Sequence, residues 1–259
     1  MKDQANQCFA TGDWGRSEDL FNKAIAVIES EKPDLEPLIF IELLNGLSKL
    51  LYLKERHEDA RSVAAKALSL IETENFDCPD LEIDLLLRMA ETLSFFENMD
   101  ETLGFLDQAE KICQSREKQN DPRLASILST RAAFLLSSEE EEHFKKAVLL
   151  IEEAEKILAV NAIESGEDLA NVLSTKAICY QLEGEVEQAQ TFYVASIEAL
   201  NVEPLSPCFG EACFGYATLR ATDSKFSESV KFLTEQVALK ESQTGNNHPI
   251  LKRAVSALA

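Results

Sequence analysis

The side chains of this 259-residue chain that could do chemistry are its carboxylates, six thiols and three imidazoles. The densest group is the run Glu139–Glu142 beside His143. Its oxygens and ring nitrogen could hold a cation. The spacing favours a plainer role: Ser137 or Ser138 caps a helix, and the glutamates sit against the positive end of its dipole. No metal site is expected there. The cysteines (Cys8, Cys78, Cys113, Cys179, Cys208, Cys213) are scattered. None forms a C-x-x-C pair, and His57, His143 and His248 do not flank them at zinc spacing. Cys113, Cys179 and Cys213 fall among apolar residues, so free buried thiols in a reducing cytoplasm are expected. The chain has no phosphate-cradling G-x-x-x-x-G-K-[ST], no G-x-G-x-x-G, no H-E-x-x-H and no G-x-S-x-G. The expectation is a protein that is not an enzyme, with no catalytic residues and no cofactor.

Charge narrows the partners. There are 46 Asp and Glu against 25 Lys and Arg, a formal charge of −21. Such a surface repels phosphate backbones and anionic lipid. Neither nucleic acid nor membrane is an expected partner; a neutral or basic protein or peptide segment is. The opening MKDQANQCFATGDW lacks the apolar run of a signal peptide. No stretch approaches the roughly 18–20 apolar residues of a membrane span. The expected location is the cytoplasm. A hydrophobic content of 45% suffices for a packed core.

The elements that must position any site are helices. Apolar residues recur three and four apart almost throughout, as in Leu43, Leu44, Leu47, Leu50 and Leu51, or Val148, Ile151, Ala154, Ile157 and Leu158. No comparable run alternates as a strand would. The prolines (Pro33, Pro37, Pro79, Pro122, Pro204, Pro207, Pro249) lie where one helix pair would join the next. Proline fits a first helical turn, whose N–H groups have no partner anyway. Asp121-Pro122 and Ser206-Pro207 read as a cap followed by the first helical residue. Gly12, Gly184 and the charged tip Lys54-Glu55-Arg56 mark tighter turns. This predicts six pairs of alternating A and B helices, one of them roughly Glu36–Leu53 and Glu58–Thr73, with a final lone helix near Pro249–Leu258.

A pattern of small residues gives these helices a common phase. Pairs seven apart recur about every 42 residues: Ser17/Ala24, Ala60/Ala67, Thr102/Ala109, Ala147/Ala154, Ala189/Ser196 and Ser229/Gln236. Where helices cross, their axes approach to about 8–10 Å, and a large side chain would push them apart. Large residues fill the holes between. Phe21, Leu106, Ile151, Tyr193 and Leu233 lie four after the first small residue; Trp14, His57, Met99, Phe144, Val186 and Phe226 lie three before it.

These residues resemble the tetratricopeptide repeat (TPR) family. Gly12-Asp13-Trp14 through Ser17, Phe21 and Ala24 is similar to its B-helix motif, as is Gly184-Glu185-Val186 through Ala189, Tyr193 and Ser196. Ser48, Ala90, Ala177 and Ala217 supply the small residue of helix A. The family period is 34 residues; the longer period here resembles the long-helix variety typified by kinesin light chains. Phe232–Leu239, Gly245, His248-Pro249 and Leu251 are similar to that variety's "LYxxALxxxxxxxGxxHPxxA", and Leu44-Asn45-Gly46-Leu47 to its "LNNLA". Repeat four departs, with a longer internal turn at Ser137–Glu142, and Gln236 replaces the last alanine. The implied fold is all-α: a right-handed superhelical α-solenoid of about six TPR helix-turn-helix pairs plus a lone C-terminal helix. It would be a single domain over 1–259, with repeats at approximately 1–33, 34–76, 77–120, 121–164, 165–205 and 206–247 and a partial repeat at 248–259.

The resemblance also implies a site. In this family helix A lines the inner groove and holds peptides there. By position the groove would comprise Asn45, Lys49, Tyr52, Arg88, Glu91, Phe95, Ser129, Thr130, Ser174, Thr175, Ile178, Gln181 and Phe214. Asn, Ser and Thr can hydrogen-bond a peptide backbone, and the aromatic rings can anchor apolar side chains. Some members hold an acidic C-terminal peptide in a clamp of Lys, Asn, Asn, Lys and Arg. Lys2, Asn6 and Arg88 match, but Gly46 and Asp84 stand at the other two positions, so that clamp is not expected. The implied function is a protein-interaction scaffold. The alternatives are a self-associating module, acting through the C-terminal helix, and a peptide-sensing regulatory receptor.

Overall fold

Proline and glycine divide the chain where the sequence places them. Pro37, Pro79, Pro122, Pro207 and Pro249 each occupy the first residue of a helix, the position that lacks a hydrogen-bond partner for an N–H. Asp121 caps its helix by accepting from the Arg123 amide at 3.1 Å, and Ser206 accepts from the Cys208 amide at 3.3 Å. The computed structural model describes residues 1–31, 37–94, 98–115, 121–138, 140–163, 166–200, 206–220, 226–244 and 248–256. All regular structure among them is helical.

The chain separates into two compact units, Met1–Glu117 and Lys118–Ala259. The first contains three helix pairs: α1 (Lys2–Ala10) with α2 (Trp14–Glu31), α3 (Pro37–Leu53) with α4 (His57–Glu74), and α5 (Pro79–Ser94) with α6 (Met99–Ser115). The second contains α7 (Pro122–Leu135) with α8 (Glu141–Val160), α9 (Glu167–Leu182) with α10 (Val186–Ala199), α11 (Pro207–Arg220) with α12 (Phe226–Thr244), and then α13 (Pro249–Ser256). Trp14, His57, Met99, Val186 and Phe226 each open a B helix. Among the described residues no helix is long and apolar enough to cross a membrane.

The small residues lie where the helices cross. Ser17, Ala60, Thr102, Ala147, Ala189 and Ser229 are all buried. Three serines show how near the backbones come. Ser17 Oγ donates to the Ala5 carbonyl at 2.9 Å, Ser48 Oγ to the Ala60 carbonyl at 2.9 Å, and Ser196 Oγ to the Ala170 carbonyl at 2.8 Å. A side chain with one heavy atom beyond Cβ reaches the facing backbone, and each buried hydroxyl is satisfied in doing so.

Two of the large residues meet a matching gap in the next A helix. A Cβ on Gly46 would stand 2.7 Å from Phe21 Cζ, and one on Gly215 would stand 2.5 Å from Tyr193 Cε1. The two glycines align, each two residues before the small residue of helix A. The second pair reverses this order: Ala64 of α4 stands where Phe21 and Tyr193 stand, and Arg88 of α5 stands where the glycines do.

Three of the turns inside pairs share one geometry. Gly12 (φ 78°), Glu55 (φ 61°) and Gly184 (φ 79°) occupy the left-handed region two residues before the B helix. Each is followed by an amide that reaches back to a carbonyl one turn earlier: Asp13 to Cys8, Arg56 to Leu51 and Glu185 to Tyr180, at 2.9 to 3.0 Å. Ala162 (φ 54°), just beyond α8, adopts the same conformation.

One sequence expectation is corrected. Neither Ser137 nor Ser138 is the N-cap of α8; that residue is Glu140, which makes no side-chain cap. Ser137 Oγ instead donates to the Phe134 carbonyl at 2.7 Å, at the end of α7. Ser138 Oγ accepts from the Glu140 amide at 3.2 Å and meets His143 Nδ1 at 2.6 Å. The longer connection places both serines before the helix start, too early to reach its free amides.

Candidate functional site

Within each unit the A helices form a layer of their own. Successive A helices touch, α1 with α3 and α3 with α5 in the first unit, and α7 with α9, α9 with α11 and α11 with α13 in the second. Among the described residues no two B helices meet more than in passing. Within each unit the A helices therefore form a continuous layer, whereas the B helices do not.

Side chains about one repeat apart join these helices. Lys2 of α1 is ion-paired with Glu42 of α3. The Arg88 guanidinium of α5 lies over the Tyr52 ring of α3, 4.4 Å from its centroid. Ser126 of α7 is hydrogen-bonded to Asp168 of α9. The Cys208 thiol of α11 donates to Asn171 Oδ1 of α9 at 2.7 Å.

Asn45, Lys49 and Tyr52 occupy one face of α3 at i, i+4 and i+7, each partly exposed. Tyr52 also meets the His57 ring edge-on at 5.5 Å. Arg88 is ion-paired with Glu91, one turn along α5, and its side chain is only 14% exposed. Tyr52, Arg88 and Glu91 therefore form a cluster in which the guanidinium meets both a ring and a carboxylate. Phe95 lies outside the described residues.

In the second unit Ser129 and Thr175 are buried. Thr175 Oγ1 donates to the Asn171 carbonyl at 2.9 Å. Its one proton is thereby used, so Ser129 Oγ is the donor in their 3.1 Å bond. These two hydroxyls hold α7 to α9 rather than face solvent. Thr130, Ser174 and Ile178 are half-buried and Gln181 is exposed. Ser174, Ile178 and Gln181 repeat on α9 the register of Asn45, Lys49 and Tyr52. Gln181 Oε1 accepts from the Tyr193 hydroxyl at 3.0 Å. Phe214 of α11 is 63% exposed, unusual for a phenyl ring.

Sequence reasoning did not single out His57, Asn171 or the Ser126–Asp168 pair as contributors to this layer. The available signal was the repeat itself: Ser126 and Asp168 are 42 residues apart, as facing positions on neighbouring A helices should be.

Elsewhere the titratable groups serve structure. Burial pushes the Glu18 carboxyl up, but Lys54 and Arg56 outweigh it and hold it below the usual carboxylate range. Burial lifts the Cys179 thiol to about 11 and the Cys213 thiol to about 12, so neither is a nucleophile near neutrality. All six cysteines are free. At the start of α8, Glu141 and Glu142 are paired with Lys145 and Lys146 at 2.6 and 2.9 Å. Among the described residues no three metal-ligating side chains come together.

Antiparallel helix pairs, crossing at small residues and repeated with a continuous A layer, define an all-α helix-repeat protein of the solenoid type. The fold is that of the tetratricopeptide proteins. BtubC (BKLC) from P. vanneervenii is similar over 91% of each chain, with a TM-score of 0.57 at 15% identity. NprR, solved in complex with its cognate peptide NprX, is similar over 98% of this chain and 68% of its own, with a TM-score of 0.66 at 13% identity. A tetratricopeptide repeat protein from Parabacteroides merdae ATCC 43184 is similar over 99% of this chain and 96% of its own, with a TM-score of 0.50 at 13% identity. No family model and no curated protein matches the sequence.

Proposed function

We propose that this chain is a non-enzymatic interaction scaffold that holds a segment of a partner protein along its A-helix surface. On this reading residues 1–259 form one repeat array. The observation that carries it is the A layer, whose side chains are locked to one another before any partner arrives. A preformed surface of this kind leaves most of the ordering cost to the partner. Asn45, Lys49 and Tyr52 of the first unit, with Thr130, Ser174, Ile178, Gln181 and Phe214 of the second, are the accessible contacts. Arg88 and Glu91 orient Tyr52. NprR, of the same fold, was solved with a peptide, and that supports a peptide or helix as the ligand here. The acidic balance favours a neutral or basic segment.

The test is affinity capture with the wild type and with a variant carrying Asn45→Ala, Arg88→Leu and Ser174→Ala, both verified as helical by circular dichroism. The variant is expected to lose specific partners that the wild type retains. An unchanged partner set would remove the binding site from the A surface.

A further inference from the structure

A cavity of about 570 Å³ opens in the first unit between the B helices α4 and α6, with α5 as its floor. Its size falls within the usual range of ligand sites, about 300–1,000 Å³. Leu68, Leu86, Met89 and Phe105 provide an apolar wall. Glu72 of α4 and Glu82 of α5 bring two carboxylates to it, and no lysine or arginine lines it. The α5 residues Glu82, Leu86 and Met89 follow one another at i, i+4 and i+7, so they share one face. At about 100° per residue, Arg88 and Glu91 point away from that face. The cavity is therefore separate from the A-helix surface.

We propose that this cavity is a second binding site, taking a segment of a partner protein in which an aliphatic side chain neighbours a lysine. The aliphatic group fills the space over Leu86 and Met89, and the ammonium meets the two carboxylates. Charge complementarity selects this occupant. Glu82 is only partly exposed and pairs with no cation among the described residues; burial alone lifts its carboxyl above the ordinary range. An incoming ammonium supplies the missing counter-charge. A divalent metal ion would need about six oxygen ligands, and among the described residues no three metal-ligating side chains come together. Asn75 and Gln108 are among the lining residues, and their side-chain amides can hydrogen-bond a peptide backbone, which favours a peptide segment over a simple amine.

The test is a methyl-resolved NMR titration with two blocked tetrapeptides. One has three leucines and one lysine; its twin has norleucine, the same four-carbon side chain without the ammonium, in place of lysine. The lysine peptide should shift the Leu68, Leu86 and Met89 methyl signals and bind roughly ten-fold more tightly than the twin, as expected for one charge-assisted contact. In Glu82→Gln, and separately in Glu72→Gln, the lysine peptide should fall toward the affinity of the twin, while the twin is unchanged. Both substitutions are nearly isosteric, and the spectrum itself reports folding. Equal binding of the two peptides, or shifts confined to α3 and α5 residues of the A surface, would overturn the proposal. The Asn45/Arg88/Ser174 variant should retain this binding in full, so failure here and failure of the A-surface reading are distinguishable.

Discussion

Gly46→Ala is the sharpest test of how these helix pairs fit. In an ordinary helix interior this change stabilises by about 1 kcal/mol, because alanine has the higher helix propensity. Here the new Cβ would stand 2.7 Å from Phe21 Cζ and 2.8 Å from Cε1. Phe21 is 1% exposed and has nowhere to turn. Relieving that overlap requires α2 and α3 to separate or the ring to leave its rotamer, at a cost of about 1–3 kcal/mol. The net effect should be a loss of about 1 kcal/mol. Phe21→Leu removes the ring edge and by itself costs on the order of 1–2 kcal/mol. In that background Gly46→Ala should regain its propensity and stabilise, so the two changes should couple by about 1–3 kcal/mol. Urea titration read through Trp14, the chain's one tryptophan and buried at the start of α2, reports on the same unit. A Gly46→Ala variant more stable than wild type, or an equal penalty in both backgrounds, would refute the size-matching argument.

Three further outcomes follow from the same geometry. Ala162 holds φ 54° just beyond α8, a conformation that strains any residue with a Cβ, so Ala162→Gly should stabilise by about 0.5–1 kcal/mol in a denaturant titration. Gln236 stands where the repeat asks for a small residue, and its Oε1 is buried without a hydrogen-bond partner among the described residues. Gln236→Ala should therefore raise stability by about 1 kcal/mol. His248 Nδ1 accepts from the Ile250 amide at 3.3 Å and so caps α13, while burial lowers its pKa from 6.5. Between the lowered folded value and the unfolded one, the unfolded chain binds more protons, so the stability His248 provides is complete above about 6.5 and is lost as pH falls through the folded value. The protection factors of the α13 amides, which correct for the pH dependence of intrinsic exchange, should fall as pH drops below about 6.5, and His248→Asn, which retains a cap acceptor without titrating, should flatten that dependence.

The helix boundaries were legible because proline, glycine and large residues punctuate the chain in a fixed phase. Pro37, Pro79 and Pro122 mark helix starts by chemistry that is local to one turn, and His57 or Met99 opens a B helix because the small residue three positions later must reach the crossing. The accessible surface was less legible. Ser129 and Thr175 look like groove lining in sequence, yet they are buried and bonded to each other. Whether a hydroxyl on an A helix meets solvent or the neighbouring A helix depends on the rotation between successive pairs, and no single-helix pattern encodes that angle. Arg88 poses the same difficulty. A basic residue in an A helix suggests a ligand contact, but its partners are Tyr52 and Glu91. The capping role expected of Ser137 and Ser138 fails for a different reason: α8 begins only at Glu141, and Glu140 takes the cap position.

The second pair is where the repeat rule breaks, and the consequences gather around it. A large residue at position 64 would fill the space between α4 and the next helix, as Phe21 and Tyr193 do in their own pairs. Alanine there is buried and claims less of that space. On one side α5 can carry Arg88 at the position of Gly46 and Gly215, which builds the Tyr52–Arg88–Glu91 cluster of the A surface. On the other side Leu68 and Ile71, next along the same α4 stripe, border the cavity above Leu86 and Met89. Sequences that specify a fold usually depart from their own local rules at functional positions. Ala64→Leu would return the pair to the common pattern and so tests whether one small residue maintains both features. The expected result is a displaced Arg88, seen as a changed Tyr52 ring environment, together with weaker binding of the lysine peptide. A variant that alters neither would show that the two sites arise independently of the missing side chain.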